Sequence, residues 1–245
     1  MFPSLYHTHH SLHPEDLPFW LDLARQQSGP LLELGCGTGR VLLPLLEAGY
    51  RAYGLDNNLE MLRFLRRALS PAQQSAPPLF LADMAHFRLA LQFPLILLPC
   101  NTLSTLSPEQ RFSTLACARA HLAPGGLFAA SLPNPLILAE MPRRGPEEIE
   151  ETFPHPESGD PVQVSSAWRR SSHHFTVTWH YDHLLPDGQV ERLTAQAVHS
   201  LEPAAAYFAA LEGAGLQEAA VYGDFDRSPY TADSPYLILV AIREG

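Results

Sequence analysis

LLELGCGTGR, residues 31–40, decides how this chain is read. An apolar run carrying one acid, Glu33, runs into three glycines at every second position, Gly35, Gly37 and Gly39. The run Leu31 to Leu34 reads as a short buried strand. Glycine permits positive φ and lets a ligand or a neighbouring element come up against the main chain. The turn after this strand is therefore a place of close approach.

Outward from that turn, short apolar runs alternate with helical patterns, the sequence form of a parallel sheet wound with helices. Helices are expected over residues 40–48, ending at Gly49, and over 59–69, where Leu59, Leu62, Leu65 and Leu69 keep helical spacing. A third covers 108–122, with Ser107 as N-cap and Pro108 at the first helical position. Strands are expected at 52–55, 79–81, 93–98 and 127–132, the last following the turn Pro124-Gly125-Gly126. Residues 133–162, rich in proline, glutamate and glycine, read as a long irregular connection. Three strands over 163–200 follow, the last two joined at Pro186-Asp187-Gly188 as a hairpin. A helix over 203–213 and strands at 219–222 and 236–242 end the chain. The expected organisation is one α/β domain over 1–245 with an antiparallel β insertion at 133–200.

The chain has 245 residues and a net charge of −10, and all 16 of its basic residues are arginine. So acidic a protein lacks the clustered basic surface that displaces counterions from nucleic acid, so no nucleic-acid partner is expected. No apolar run reaches the length of a membrane span and the start is not signal-like, so no membrane partner is expected. Cys36, Cys100 and Cys117 have no C-x-x-C spacing and read as small core residues of a reducing, cytoplasmic setting.

In a wound α/β sheet, ligands bind at the carboxyl ends of the strands, where the first strand-to-helix turn approaches them most closely. A second acid, Asp56, ends the next strand, where a carboxylate can accept hydrogen bonds from both hydroxyls of a ribose. An adenosine-containing cofactor is indicated. The dinucleotide fingerprint is G-x-G-x-x-G. This chain has G-x-G-x-G preceded by Glu33, which disfavours a nicotinamide dehydrogenase.

On these residues the chain resembles the class I S-adenosylmethionine-dependent methyltransferases. Glu33 to Gly39 is similar to the family's first motif, Gly54-Leu55-Asp56 to the second and Ala82-Asp83-Met84 to the third. Pro99-Cys100-Asn101 occupies the fourth-motif position, and Leu122 to Gly126 resembles the turn before strand five. Within the family it is similar to small-molecule enzymes of the methyltransferase domain 25 type, including amino-sugar and glycine-type N-methyltransferases. The resemblance implies a seven-stranded, doubly wound, Rossmann-like sheet of order 3-2-1-4-5-7-6, with the insertion after strand five as a lid. It implies S-adenosylmethionine as cofactor and S-adenosylhomocysteine as product. Gly35 and Gly37, with Glu33, Cys36, Gly39 and Cys100 beside them, would surround the methionine part, and Asp56 would take the ribose. Asp83 would take the adenine amino group, Met84 would offer its backbone N–H, and Asn57 and Met61 would line the pocket.

Methyl transfer needs an in-line nucleophile in a dry pocket more than it needs a strong base. Several relatives carry a histidine in a stretch similar to Leu103-Ser104-Thr105-Leu106, where this chain has Thr105. Its 12 histidines instead concentrate near the N-terminus and in or beside the insertion. His180 and His199 are the candidates for base or substrate orientation, with Tyr6 as a substrate contact. His9, His10 and His13 are not expected to hold a metal, because Pro14 follows and no closed ligand pattern lies nearby. Arg169 and Arg170 are adjacent on an expected strand, so at most one faces the cleft. The function expected is methyl transfer to nitrogen or oxygen of a small molecule, nitrogen preferred, by a monomer or homodimer. The alternatives are a protein or RNA methyltransferase and a non-catalytic S-adenosylmethionine-binding protein.

Overall fold

In the computed structural model, which describes residues 2–69, 71 and 79–244, the strands are β1 (Leu31–Leu34), β2 (Ala52–Asp56), β3 (Leu79–Leu81), β4 (Phe93–Leu98) and β5 (Leu122–Pro133). They continue as β6 (Glu148–Pro154), β7 (Pro161–Arg170), β8 (His174–Leu184), β9 (Val190–Ser200), β10 (Gln217–Tyr222) and β11 (Tyr236–Ile242). The helices are α1 (Phe2–Ser11), α2 (Leu17–Arg25), α3 (Leu42–Glu47), α4 (Leu59–Ala68), α5 (Pro108–His121), α6 (Pro135–Glu140) and α7 (Ala204–Gly213).

Seven strands form one sheet in the order β10-β11-β5-β4-β1-β2-β3. Skipping the four inserted strands, this is the expected 3-2-1-4-5-7-6. β1 to β5 are parallel, whereas β11 runs antiparallel to both β5 and β10. The central strands are buried on both faces, which is why they read as unbroken apolar runs rather than alternating ones. Leu32, Leu34, Ile96 and Leu98 pack on one face against Leu115 and Ala118 of α5 and Leu211 of α7. Leu31, Leu95 and Leu97 pack on the other against Trp20 of α2, Leu45 of α3 and Leu62 and Leu65 of α4.

The caps explain where the helices begin. Ser107 and Gln110 form a reciprocal capping box at the start of α5, with Pro108 in the first turn. Asn58 caps α4 by accepting from the amides of Glu60 and Met61. Pro44 lies in the first turn of α3, where no intrahelical amide is lost, and Gly49 follows that helix at φ +87°.

The insertion corrects one expectation. Residues 133–162 are not an irregular connection: they hold α6 and β6. The second sheet is accordingly four-stranded, β6-β7-β8-β9, and antiparallel throughout. Leu5 of α1 joins Phe153, Val162, Val164 and Tyr181 in a third core, so the first helix packs on this second sheet.

Candidate active site

The turn between β1 and α3 is held open by its own backbone. Gly35, Gly37 and Gly39 all have positive φ, at +66°, +51° and +89°. A Cβ on Gly35 would stand 3.2 Å from Met84 Cε and 3.6 Å from Thr102 Cγ2, so residues after β3 and β4 close on the turn. A Cβ on Gly37 would meet only the Gly35 carbonyl oxygen, at 4.0 Å, so this residue faces open space. Gly39 serves packing instead, its missing Cβ leaving room for Leu65 of α4 and Leu43 of α3. Cys36 is buried, and its amide donates to the Leu55 carbonyl of β2 at 3.0 Å.

Asp56 ends β2 against this turn. One carboxylate oxygen accepts from the Gly37 amide and the other from the Asn58 amide, both at 2.7 Å. Because Asn58 caps α4, Asp56 is free of that duty, and each of its oxygens retains acceptor capacity. Asn57 beside it is exposed and Met61 is buried. Asp83 after β3 is exposed; it accepts from the Ala85 amide at 2.8 Å and lies 3.6 Å from His86 Nδ1. Glu33 is buried in the middle of β1, and its Oε2 has no partner among the described residues. Burial pushes its carboxyl well above the usual range, against the pull of Arg40.

At the end of β4, Cys100 and Asn101 are consecutive non-glycine residues with φ of +60° and +61°. Strain of this kind concentrates at functional sites, because the surroundings must impose it. The Cys100 side chain is accessible, yet burial pushes its thiol up to about 11, with Arg40 opposing. Both hold for a group on the wall of a hollow enclosed by protein. Arg40 donates to Cys100 Sγ at 3.0 Å and to both oxygens of Asp16, at 2.7 and 2.5 Å. Trp20 Nε1 also donates to Asp16, at 2.8 Å.

Helix α1 roofs this floor. His7 Nδ1 lies 3.1 Å from Thr38 Oγ1 in the glycine turn, and His9 Nδ1 lies 3.0 Å from Tyr181 Oη in the second sheet. Tyr6 directly precedes His7 and packs edge-on against His10 with ring centroids 4.0 Å apart. Its hydroxyl is raised first by burial and then by Cys100 and Tyr181, with Arg40 opposing and Asp56 adding, so it lies at the junction of turn, β4 and second sheet. Burial, with His9 and Arg40, holds His10 down at about 3.

The two insertion histidines part company. His199 of β9 is buried, and its Nδ1 lies 2.8 Å from Ser104 Oγ in the 3-10 turn Thr102–Thr105 that follows β4. His180 alternates with the inward-packed Trp179 and Tyr181, so it projects from the opposite face of β8, where its Nδ1 meets Thr194 Oγ1 at 2.9 Å. The structure therefore gathers Tyr6 and His199 at the site and leaves His180 outside. Arg170 donates to the Met141 carbonyl at 2.6 Å, a structural contact. A separate groove of about 770 Å³ between residues 85–92 and α5 contains none of the glycine-turn residues. Its Cys117 and His121 are spent on backbone bonds.

The donor set suits an adenosine with an amino-acid tail: a carboxylate at the second strand end, an open glycine backbone and a buried acid with an orphaned oxygen. Sequence reasoning missed Asp16, Thr38, Arg40 and Ser104. Arg40 directly follows the last glycine of the turn, and that adjacency was the available signal.

Residues 31–126 match the family described as "Methyltransferase domain". A Bacillus subtilis (strain 168) protein named "Putative methyltransferase YqeM" is 29% identical over 125 residues, 50% of this chain and 49% of that protein. The chain thus matches about half the length of that relative. Among solved structures, an S-adenosylmethionine-dependent methyltransferase from Clostridium acetobutylicum ATCC 824 superposes with a TM-score of 0.82 at 13% identity, covering 98% of this chain and 100% of that one. The sugar N-methyltransferase KedS8 from Streptoalloteichus sp ATCC 53650 gives 0.74 at 21% identity, covering 94% and 86%. At these identities the two structures share the fold.

Proposed function

We propose that this chain, whose residues 31–126 match the methyltransferase domain family, is an S-adenosylmethionine-dependent methyltransferase acting on nitrogen or oxygen of a small molecule. The observation that carries the reading is Asp56, which anchors the open Gly37 amide and keeps acceptor capacity at the mouth of the turn. That placement suits both hydroxyls of a ribose. Gly35 and Gly37 leave the backbone bare for the methionine part, flanked by Cys36, Gly39 and Cys100. The orphaned Glu33 oxygen suits an ammonium group. Asp83 and Met84 follow β3, and Asn57 and, in the first turn of α4, Met61 follow β2, on the side where an adenine would lie.

When bound, S-adenosylmethionine supplies a methyl group on a sulfonium whose charge is lost in transfer, so alignment and exclusion of water supply much of the rate. In this chain α1 and the second sheet serve as the lid, with Tyr6 under the roof and His199 beside the end of β4. A covered site and the sugar N-methyltransferase activity named for one structural neighbour favour a small acceptor, with nitrogen preferred. The test is formation of S-adenosylhomocysteine from S-adenosylmethionine across amino sugars, simple amines and alcohols. Acceptor-dependent turnover supports the proposal. Methylation confined to protein or RNA fractions would favour a macromolecular substrate, and cofactor binding without any turnover would favour a non-catalytic binder.

A further inference from the structure

We propose that Ser104 fixes the tautomer of His199, so that the imidazole presents Nε2 as a hydrogen-bond acceptor that orients the incoming methyl-acceptor group. The inference rests on the site being one of methyl transfer. The Ser104 hydroxyl donates to the Asn101 carbonyl at 2.7 Å, which uses its one hydrogen. In the 2.8 Å contact with His199, Ser104 Oγ is then the acceptor and Nδ1–H the donor. A neutral imidazole carries a single N–H, so Nε2 keeps its lone pair.

Three observations place that lone pair where an acceptor arrives. No contact among the described residues occupies His199 Nε2, and it is not among the sealed, partnerless buried atoms that include His155 Nε2 and His183 Nδ1, so it faces open space. Ser104 lies just beyond the left-handed pair Cys100-Asn101, and its anchor is the carbonyl of Asn101 itself. His199 shares the inward face of β9 with Leu193 and Ala195, which pack toward Tyr181 and α1. Thr105 does not compete, because it is exposed and its hydroxyl donates to the Thr102 carbonyl at 2.8 Å.

Burial alone lowers His199 to about 4, so the ring is neutral at physiological pH. So weak a base does not strip an ammonium ion, but it accepts a hydrogen bond from a neutral N–H or O–H and thereby aims a lone pair of that atom, which the hydrogen bond does not use. Ser104 is thus a positioning residue, and the acceptor class is a neutral amine or a hydroxyl.

Nitrogen-15 spectroscopy of the imidazoles in the full chain tests this. The wild type should show His199 protonated at Nδ1 and bare at Nε2; Ser104→Ala should mix the tautomers, and Ser104→Thr should restore the original one. Sinefungin, which carries an amine where the methyl group would be, should shift the Nε2 signal, and S-adenosylhomocysteine should not. A proton on Nε2 in the wild type, an unchanged tautomer in Ser104→Ala, or bound sinefungin without an Nε2 shift would overturn the proposal. If neither ligand binds, the cofactor reading fails and the orienting role with it. The tautomer result decides the part played by Ser104 independently.

Discussion

At Gly37 the φ of +51° and the amide's hydrogen bond to Asp56 act together: the turn aims its N–H at the carboxylate and leaves its other side empty. Gly39, two residues on, has a different reason for lacking a Cβ, since Leu65 fills the place where one would go. Two predictions separate these roles. Asp56→Ala removes two charged acceptors, each of the kind worth about 1.5–3 kcal/mol. Losing both should weaken S-adenosylmethionine binding by roughly a hundredfold to ten-thousandfold, read by calorimetry, at about tenfold per 1.4 kcal/mol; unchanged affinity would remove Asp56 from the ribose site. Gly39→Ala meets about 1–2 kcal/mol of left-handed strain and about 1–3 kcal/mol of overpacking. Its urea midpoint should fall by the equivalent of roughly 2–5 kcal/mol, and a wild-type midpoint would show that α4 yields easily.

At the scale of elements, two devices hold the N-terminal segment on the sheet. The first is the largely buried pair of Asp16 and Arg40, which joins the start of α2 to the end of the glycine turn. Asp16→Ala leaves an uncompensated buried charge and should cost about 3–5 kcal/mol in chemical denaturation; a loss below 1 kcal/mol would mean that Arg40 finds another partner. The second device is α1, seated through neutral histidines. His10 of α1 falls to about 3 and His199 of β9 to about 4, both from an ordinary 6.5 and first through burial. The folded state therefore binds fewer protons than the unfolded chain between these values and 6.5. Their stabilisation is complete above pH 6.5 and is lost as pH falls toward 3–4. His10→Gln should flatten this slope relative to the wild type, and amide exchange in α1 should accelerate first on acidification. Parallel pH profiles for the two proteins would contradict the assignment.

These elements were also the least legible in the sequence. α1 buries Ser4 and His9 along with Leu5, so its pattern carries little apolar periodicity. β6 begins Glu148-Ile149-Glu150-Glu151 on an open sheet edge, where charged side chains are an asset and the pattern resembles a loop. The central strands were plain, because burial on both faces leaves apolar runs bounded by glycine or an acid. The site divided in the same way. Its floor is contiguous motif, whereas the contacts of His7 with Thr38, of His199 with Ser104 and of Arg40 with Asp16 join residues that periodicity cannot pair.

At the scale of the whole molecule, sheet order brings the carboxyl ends of β1, β2, β3 and β4 to one rim, and the second sheet and α1 come down over it. That topology brings Glu33, the glycine turn, Asp56, Asp83 and Cys100 toward one rim, although up to 67 residues separate them. The central claim is that this rim holds S-adenosylmethionine. Calorimetric titration of the purified, ligand-stripped chain with S-adenosylmethionine, S-adenosylhomocysteine and NAD in parallel tests it most directly. Saturable binding of the first two, with no heat from NAD, is the result expected; binding of NAD alone, or of none of the three, would contradict it.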